Sequence, residues 1–125
     1  MKLKHVFLFQ VLASTINGGL FILAPEYNLS IYGVNDISAR EILLAQLLGA
    51  ALLSYALVAW YARDSRDSLA RYAIVIGFGT THLIGLILTL FATLNGTINA
   101  MGWFACFLYL VLAAGYGYFF IKPGD

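Results

Sequence analysis

His82 is the residue best placed to do chemistry. It lies near the centre of an apolar run, Tyr72 to Thr93, that contains no Lys, Arg, Asp or Glu. Gly79, Gly85 and Thr89 stand at i−3, i+3 and i+7, so a helix would put them on the face of the imidazole. That face is small and weakly polar. It suits close packing against another helix, or contact with a ligand. An ionisable side chain at membrane depth is a functional hypothesis by default, because burying it is costly. Imidazole can ligate, titrate or relay a proton near neutrality. The bland account of the same residue is a neutral ring held by one interhelical hydrogen bond, from Gln46, Asn17 or a Ser/Thr.

Three more polar side chains fall within apolar runs. Asn17 and Gln46 each lie about seven residues from the outer end of their run, roughly 10 Å deep. Cys106 lies about eight residues in, roughly 12 Å. If the helices turn these faces inward, one polar patch opens toward the outer leaflet. His82, Gln46 and Asn17 are therefore the candidate cofactor- or ligand-binding residues. No catalytic set and no metal site is expected. The chain has one Cys and two His, so it offers neither a thiol pair nor the ligands of a zinc or iron–sulfur centre. Haem between two imidazoles needs a second His at membrane depth, which only a second copy or a partner would supply. Glu41 beside Arg40 reads as a capped, solvated helix end or as a contact for a ligand headgroup.

These residues need elements to hold them, and composition says which. Of 125 residues, 62% are hydrophobic and 10% charged. Soluble domains run near 45–50% apolar and about 25% charged. A soluble enzyme and a disordered chain are excluded. So is a nucleic-acid partner, because the net charge is only +1. An all-α integral membrane protein remains, a four-transmembrane-helix bundle in one domain, 1–125. The expected spans are 6–24, 42–62, 72–93 and 98–121, each near the ~20 residues that cross ~30 Å of hydrocarbon. The first span starts like a signal peptide, with Lys2 and Lys4 before an apolar run. The run continues eleven residues past the cleavage-like Ala13, so a retained helix is expected.

The positive-inside rule orients the bundle. Lys2, Lys4, Arg63, Arg66, Arg71 and Lys122 fall on one side and only Arg40 on the other. Both termini are expected in the cytoplasm, as a multi-pass protein of the cell (inner) membrane. Acidic residues split evenly, Glu26, Asp36 and Glu41 outside and Asp64, Asp67 and Asp125 inside. Ser38 to Glu41 fits a capping box for the second span. Asp67 or Ser68 would cap the third and Thr97 the fourth, with Asn95-Gly96 turning between them. The segment 25–37 is the one long outer loop, opened by Pro25. Asn28-Leu29-Ser30 and Asn95-Gly96-Thr97 match the glycosylation acceptor pattern. Small-xxx-small pairs such as Ser14/Gly18, Thr15/Gly19, Ala45/Gly49, Gly77/Thr81 and Ala113/Gly117 let helices approach closely in lipid.

The stretch Ala45-Gln46-Leu47-Leu48-Gly49-Ala50-Ala51-Leu52-Leu53, then Trp60-Tyr61-Ala62-Arg63, then His82 in the next span, resembles small uncharacterised bacterial four-helix integral membrane families. In plan it is also similar to the ergosterol-biosynthesis scaffold protein family, which tethers enzymes and is not itself catalytic. That family has an Arg where this chain has Gln46. The resemblance implies a four-helix membrane fold and a non-catalytic role. Two readings of function follow. One is an accessory, assembly or scaffold subunit, held to a larger membrane-protein partner or a homo-oligomer. The other is a membrane-embedded binder or enzyme for a hydrophobic small molecule, a quinone, pigment or lipid, centred on His82. A transporter ranks behind both, because four helices leave little room for a pathway.

Overall fold

The computed structural model describes residues 1–123, so Asp125, counted above among the inner acids, lies outside them. Among the described residues there are five helices and no strand: α1 (Leu3–Leu23), α2 (Pro25–Ile31), α3 (Ala39–Ala62), α4 (Ser68–Leu94) and α5 (Gly102–Ile121). All but α2 are long and apolar enough to cross a membrane. Residues such as Leu12, Leu47, Leu88 and Phe107 point outward and are exposed, which suits lipid and not water. The chain is a multi-pass membrane protein, and its exposed helix faces meet the bilayer.

Helix ends follow local chemistry. The Ser38 N–H donates to Glu41 Oε2 at 2.8 Å and Ser38 Oγ accepts from the Arg40 N–H, so the expected capping box opens α3. Asp67 caps α4 by accepting from the Ala70 N–H at 3.0 Å. The fourth span is shorter than expected. Residues 98–101 form turns, the N-cap is Met101, and Thr97 instead bonds to Asn95. The reason lies in Asn99. Its backbone N–H donates to Tyr32 O at 2.9 Å and its amide donates to Ile31 O at 2.9 Å, which holds this segment against the end of α2. The segment 25–37 is likewise not all loop. Ala24 breaks α1, and Pro25 at the first helical position starts the seven-residue α2. Gly33 at φ +83° then turns the chain toward α3.

The four spans associate as two pairs. Helix α1 lies on α3 through facing glycines: a Cβ on Gly18 would stand 2.9 Å from the Gly49 carbonyl oxygen, and one on Gly49 2.8 Å from that of Gly18. Helix α5 lies on α4 from Tyr72 and Phe120, whose rings stack at 5.9 Å, to Gly102, which abuts Thr93. The pairs meet where Val6 of α1 packs on Gly115 of α5. This junction sits toward the end that carries the N-terminus, the α3–α4 turn and the C-terminal end of α5. The core there is dense: Phe7, Ala59, Phe78, Tyr116 and Phe119 are all buried, with Phe78 and Tyr116 rings 5.5 Å apart. Toward the α2 end the pairs separate and leave a cavity between them that is partly open to the outside.

Candidate binding site

The cavity has a volume of about 440 Å³. It begins at the centre of the bundle and runs to the α2 end. All five helices contribute to it, with the loops that follow α2 and α4. Gln10, Ser14, Asn17 and Phe21 line one wall from α1, which at 1.5 Å per residue spans roughly 16 Å of depth. Leu44, Leu48 and Leu52 of α3 and Leu108 and Leu112 of α5 make the sides apolar. Leu29, Tyr32, Val34, Glu41 and Ile98 close the α2 end.

The deep end is a hydrogen-bonded cluster. Gln10, completely buried, accepts at Oε1 from His82 Nε2 at 2.5 Å and from the Tyr116 hydroxyl at 3.3 Å. Its Nε2 donates to Ser14 Oγ at 2.5 Å. In this orientation of the Gln10 amide its oxygen faces the imidazole, and an amide oxygen has no proton to give, so His82 donates and carries its ring proton on Nε2. A neutral imidazole then has a bare lone pair on Nδ1. That atom is buried and has no hydrogen-bond partner among the described residues. The His82 ring is only 3% exposed and is clamped flat on Tyr116, with centroids 5.9 Å apart and planes at 7°, while Tyr109 leans on it at 5.8 Å.

Each residue expected from sequence has a definite place. His82 forms part of the cavity's deep end. Asn17 lines its wall, with its amide donating to Ala13 O at 2.8 Å. Gln46 is exposed on α3 and donates to Ile22 O at 3.4 Å, outside the cavity. Cys106 is buried and does not line it. Glu41 lies at the α2 end of the cavity with its carboxylate engaged by Ser38. The partner of His82 is Gln10, which the sequence reading passed over. Its signal was available: Gln10, Ser14 and Asn17 stand at i, i+4 and i+7 in the first span, a polar stripe on an apolar helix.

Burial, then the nearby Tyr109, pushes the Tyr32 phenol above its ordinary range, so it stays neutral beside the apolar interior. No group of three His, Cys, Asp or Glu that would hold a metal occurs among the described residues. Nor does any activated nucleophile stand by a base in the cluster, where the imidazole proton already goes to an amide. No protein-family model, curated protein or solved structure matches the chain.

Proposed function

We propose that this protein holds a hydrophobic small molecule within the bilayer, in the cavity between its two helix pairs. The carrying observation is the cavity itself. Its volume of about 440 Å³ falls within the 300–1,000 Å³ common for ligand sites, and its apolar walls end in a few convergent polar groups. Quinones, pigments and neutral lipids all match apolar walls with a small polar end. His82 and Asn17 would face such a ligand; Gln46 would touch one only from outside the cavity. The test is extraction from the native membrane in mild detergent, followed by mass spectrometry of the organic fraction. One hydrophobic molecule per chain is expected. A Leu48→Trp variant, which fills the cavity, should stay folded and come out without it. A chain that comes out of its native membrane free of any organic molecule would remove this reading.

A second reading has its own observation. Gly19, Gly77 and Gly117 have open space where a Cβ would stand, although each sits in a small-xxx-small pair. Within the bundle, such pairs are used at Gly18 and Gly49. The open ones would let a further helix approach, as in an accessory, assembly or scaffold subunit of a larger inner-membrane complex, or in a homo-oligomer. Co-purification with a larger partner, lost on Gly77→Leu, would support it.

A further inference from the structure

We infer that the occupant of the cavity is a neutral amphiphile bearing a hydroxyl, seated head first with that hydroxyl donating to His82 Nδ1. This rests on the reading of the cavity as a ligand site and names what the site selects.

The first ground is proton accounting. Gln10 Oε1 takes the His82 Nε2 proton and the Tyr116 hydroxyl proton, and this leaves Nδ1 as an acceptor. Nδ1 is buried, lacks a partner, and belongs to a ring that lines the cavity. Buried polar atoms are almost always satisfied, and an exception calls for a missing partner. The ring cannot turn to find one, because Tyr116 is stacked on it and Gln10 holds its other nitrogen. Nδ1 itself is sealed from the empty cavity, so the missing partner is a donor that arrives through the cavity and reaches Nδ1 by a local shift of the side chains lining the deep end.

The second ground is charge. Among the described residues, the only charged one that lines the cavity is Glu41, and that lies at the opposite end, bound to Ser38. A phosphate or carboxylate head at the centre of the bundle would have no counter-charge in a setting where isolated charge is most costly. An ammonium head would meet the same objection. A hydroxyl carries the required donor without charge.

The third ground is shape. The cavity extends roughly 16 Å along α1 from Gln10 to Phe21, between leucine side chains. An elongated apolar body behind the hydroxyl would fill it and reach the Tyr32 end. Long-chain or isoprenoid alcohols, sterols and hydroquinones have this form. Quinones, ethers and hydrocarbons share the body but bring no donor.

The experiment compares probes that differ in one proton. The protein is reconstituted in nanodiscs of a zwitterionic lipid, after removal of native ligand, and titrated with dodecanol and with dodecyl methyl ether. A second pair is a decyl-substituted hydroquinone and its quinone, kept oxidised or reduced as required. The hydroxyl member should bind about tenfold more tightly, the worth of one hydrogen bond to a buried acceptor. In a His5→Gln background, which leaves one imidazole, its binding should shift the nitrogen NMR signal of Nδ1 and leave Nε2 protonated. In His82→Phe, which keeps an aromatic ring on Tyr116 but no acceptor, alcohol and ether should bind alike. Selectivity in the alcohol pair alone points to an aliphatic hydroxyl, and selectivity in the hydroquinone pair alone to a phenolic one. Equal binding of both members of each pair would overturn the hydroxyl assignment and leave the cavity as a ligand site. Failure of all four probes to bind would overturn both.

Discussion

At the scale of residues, Gln10 organises the centre of the bundle. It is completely buried, accepts from His82 and Tyr116, and donates to Ser14, so three helices converge on one amide. Interhelical hydrogen bonds in bilayers average about 0.6 kcal/mol and rarely exceed 2. His82→Gln retains a donor for Gln10 and should unfold within about 0.5 kcal/mol of the parent. His82→Leu removes that donor and should lose about 1 kcal/mol. Gln10→Leu strands His82 and Tyr116 together and should lose more. The double variant Gln10→Leu/His82→Leu should lose less than the two single losses added, because each single change leaves a buried group that the other removes. Reversible unfolding in mixed micelles measures all four, and additive losses would deny that the residues act as one cluster. His82 was legible in the sequence because it is the one imidazole deep in the spans. The polar stripe that holds Gln10 was legible too, but its pairing with His82 was not, since periodicity says which residues of one helix share a face and nothing about which face of the next helix they meet. Gln46 shows the same gap: its depth suited the cluster, and its helix turns it to the outside.

A second residue-scale prediction concerns pH. Lys4 Nζ donates to Asp64 Oδ1 at 2.9 Å, and Arg63 Nε lies 3.2 Å from Oδ2, tying the start of α1 to the α3–α4 turn. The Lys4 hydrogen bond, helped by the charges of Lys4 and Arg63, holds the Asp64 carboxyl below its ordinary range. The sign follows. A carboxyl bound more weakly by protons in the fold than in the unfolded chain stabilises the fold above its unfolded value, and the effect vanishes as pH falls through the lower, folded one. Both groups are exposed, so the contribution is small. A distance label between residue 2 and residue 66 should stay constant from neutrality to mild acid and lengthen only below the usual carboxylate range. Asp64→Asn should show the longer distance at every pH. A distance that changes near neutrality would assign the link to some other group.

At the scale of elements, the two helix pairs depend on particular glycines. A side chain at Gly49 would meet the Gly18 carbonyl oxygen at 2.8 Å and Ile22 and Phe21 besides, so α1 and α3 would have to part. Gly49→Val should cost about 2–3 kcal/mol, as overpacking does. At Gly77 no atom lies within reach of a new Cβ. There Gly77→Ala should be neutral or stabilising by about 0.5–1 kcal/mol, the ordinary helix preference for alanine. The contrast is the test: equal effects at the two positions would refute the pairing of α1 with α3. The sequence made the four spans plain, because composition and length suffice for those. It also showed the Ser38 and Asp67 starts, which depend on neighbours three residues away. It concealed α2, since seven residues give barely two turns of periodicity, and α2 is held by distant contacts such as Asn99 on Ile31 and Tyr32. The same contacts delay the start of α5. Small-residue spacing showed that helices could approach closely, but not that Gly49 is used within the bundle while Gly77 is left open.

At the scale of the whole molecule, the two ends of the bundle differ in packing and in charge. The end that carries both α1's start and α5's close has the dense aromatic core, and Lys2, Lys4, Arg63, Arg66, Arg71 and Lys122 lie at or near it. The α2 end has the cavity and Arg40 alone. The positive-inside rule then predicts an orientation with a functional consequence: basic end in the cytoplasm, cavity in the outer half of the bilayer. Asn95, exposed in the α4–α5 turn at the α2 end, provides the handle. Asn95→Cys in intact cells should react with an impermeant maleimide added outside, while Ser65→Cys at the opposite end should react only after the membrane is opened. Cys106 is buried and should contribute little background. A reporter active in the cytoplasm, fused to the C-terminus, should give signal. If Ser65→Cys labels from outside instead, the bundle is inverted. The cavity would then draw its ligand from the cytoplasmic leaflet, and the charge asymmetry would need a partner's basic surface to offset it. If the expected pattern holds, the cavity's α2 end lies at the outer interface. A neutral amphiphile would reach it from the outer leaflet, passing Tyr32 and Val34 with its hydroxyl leading toward His82.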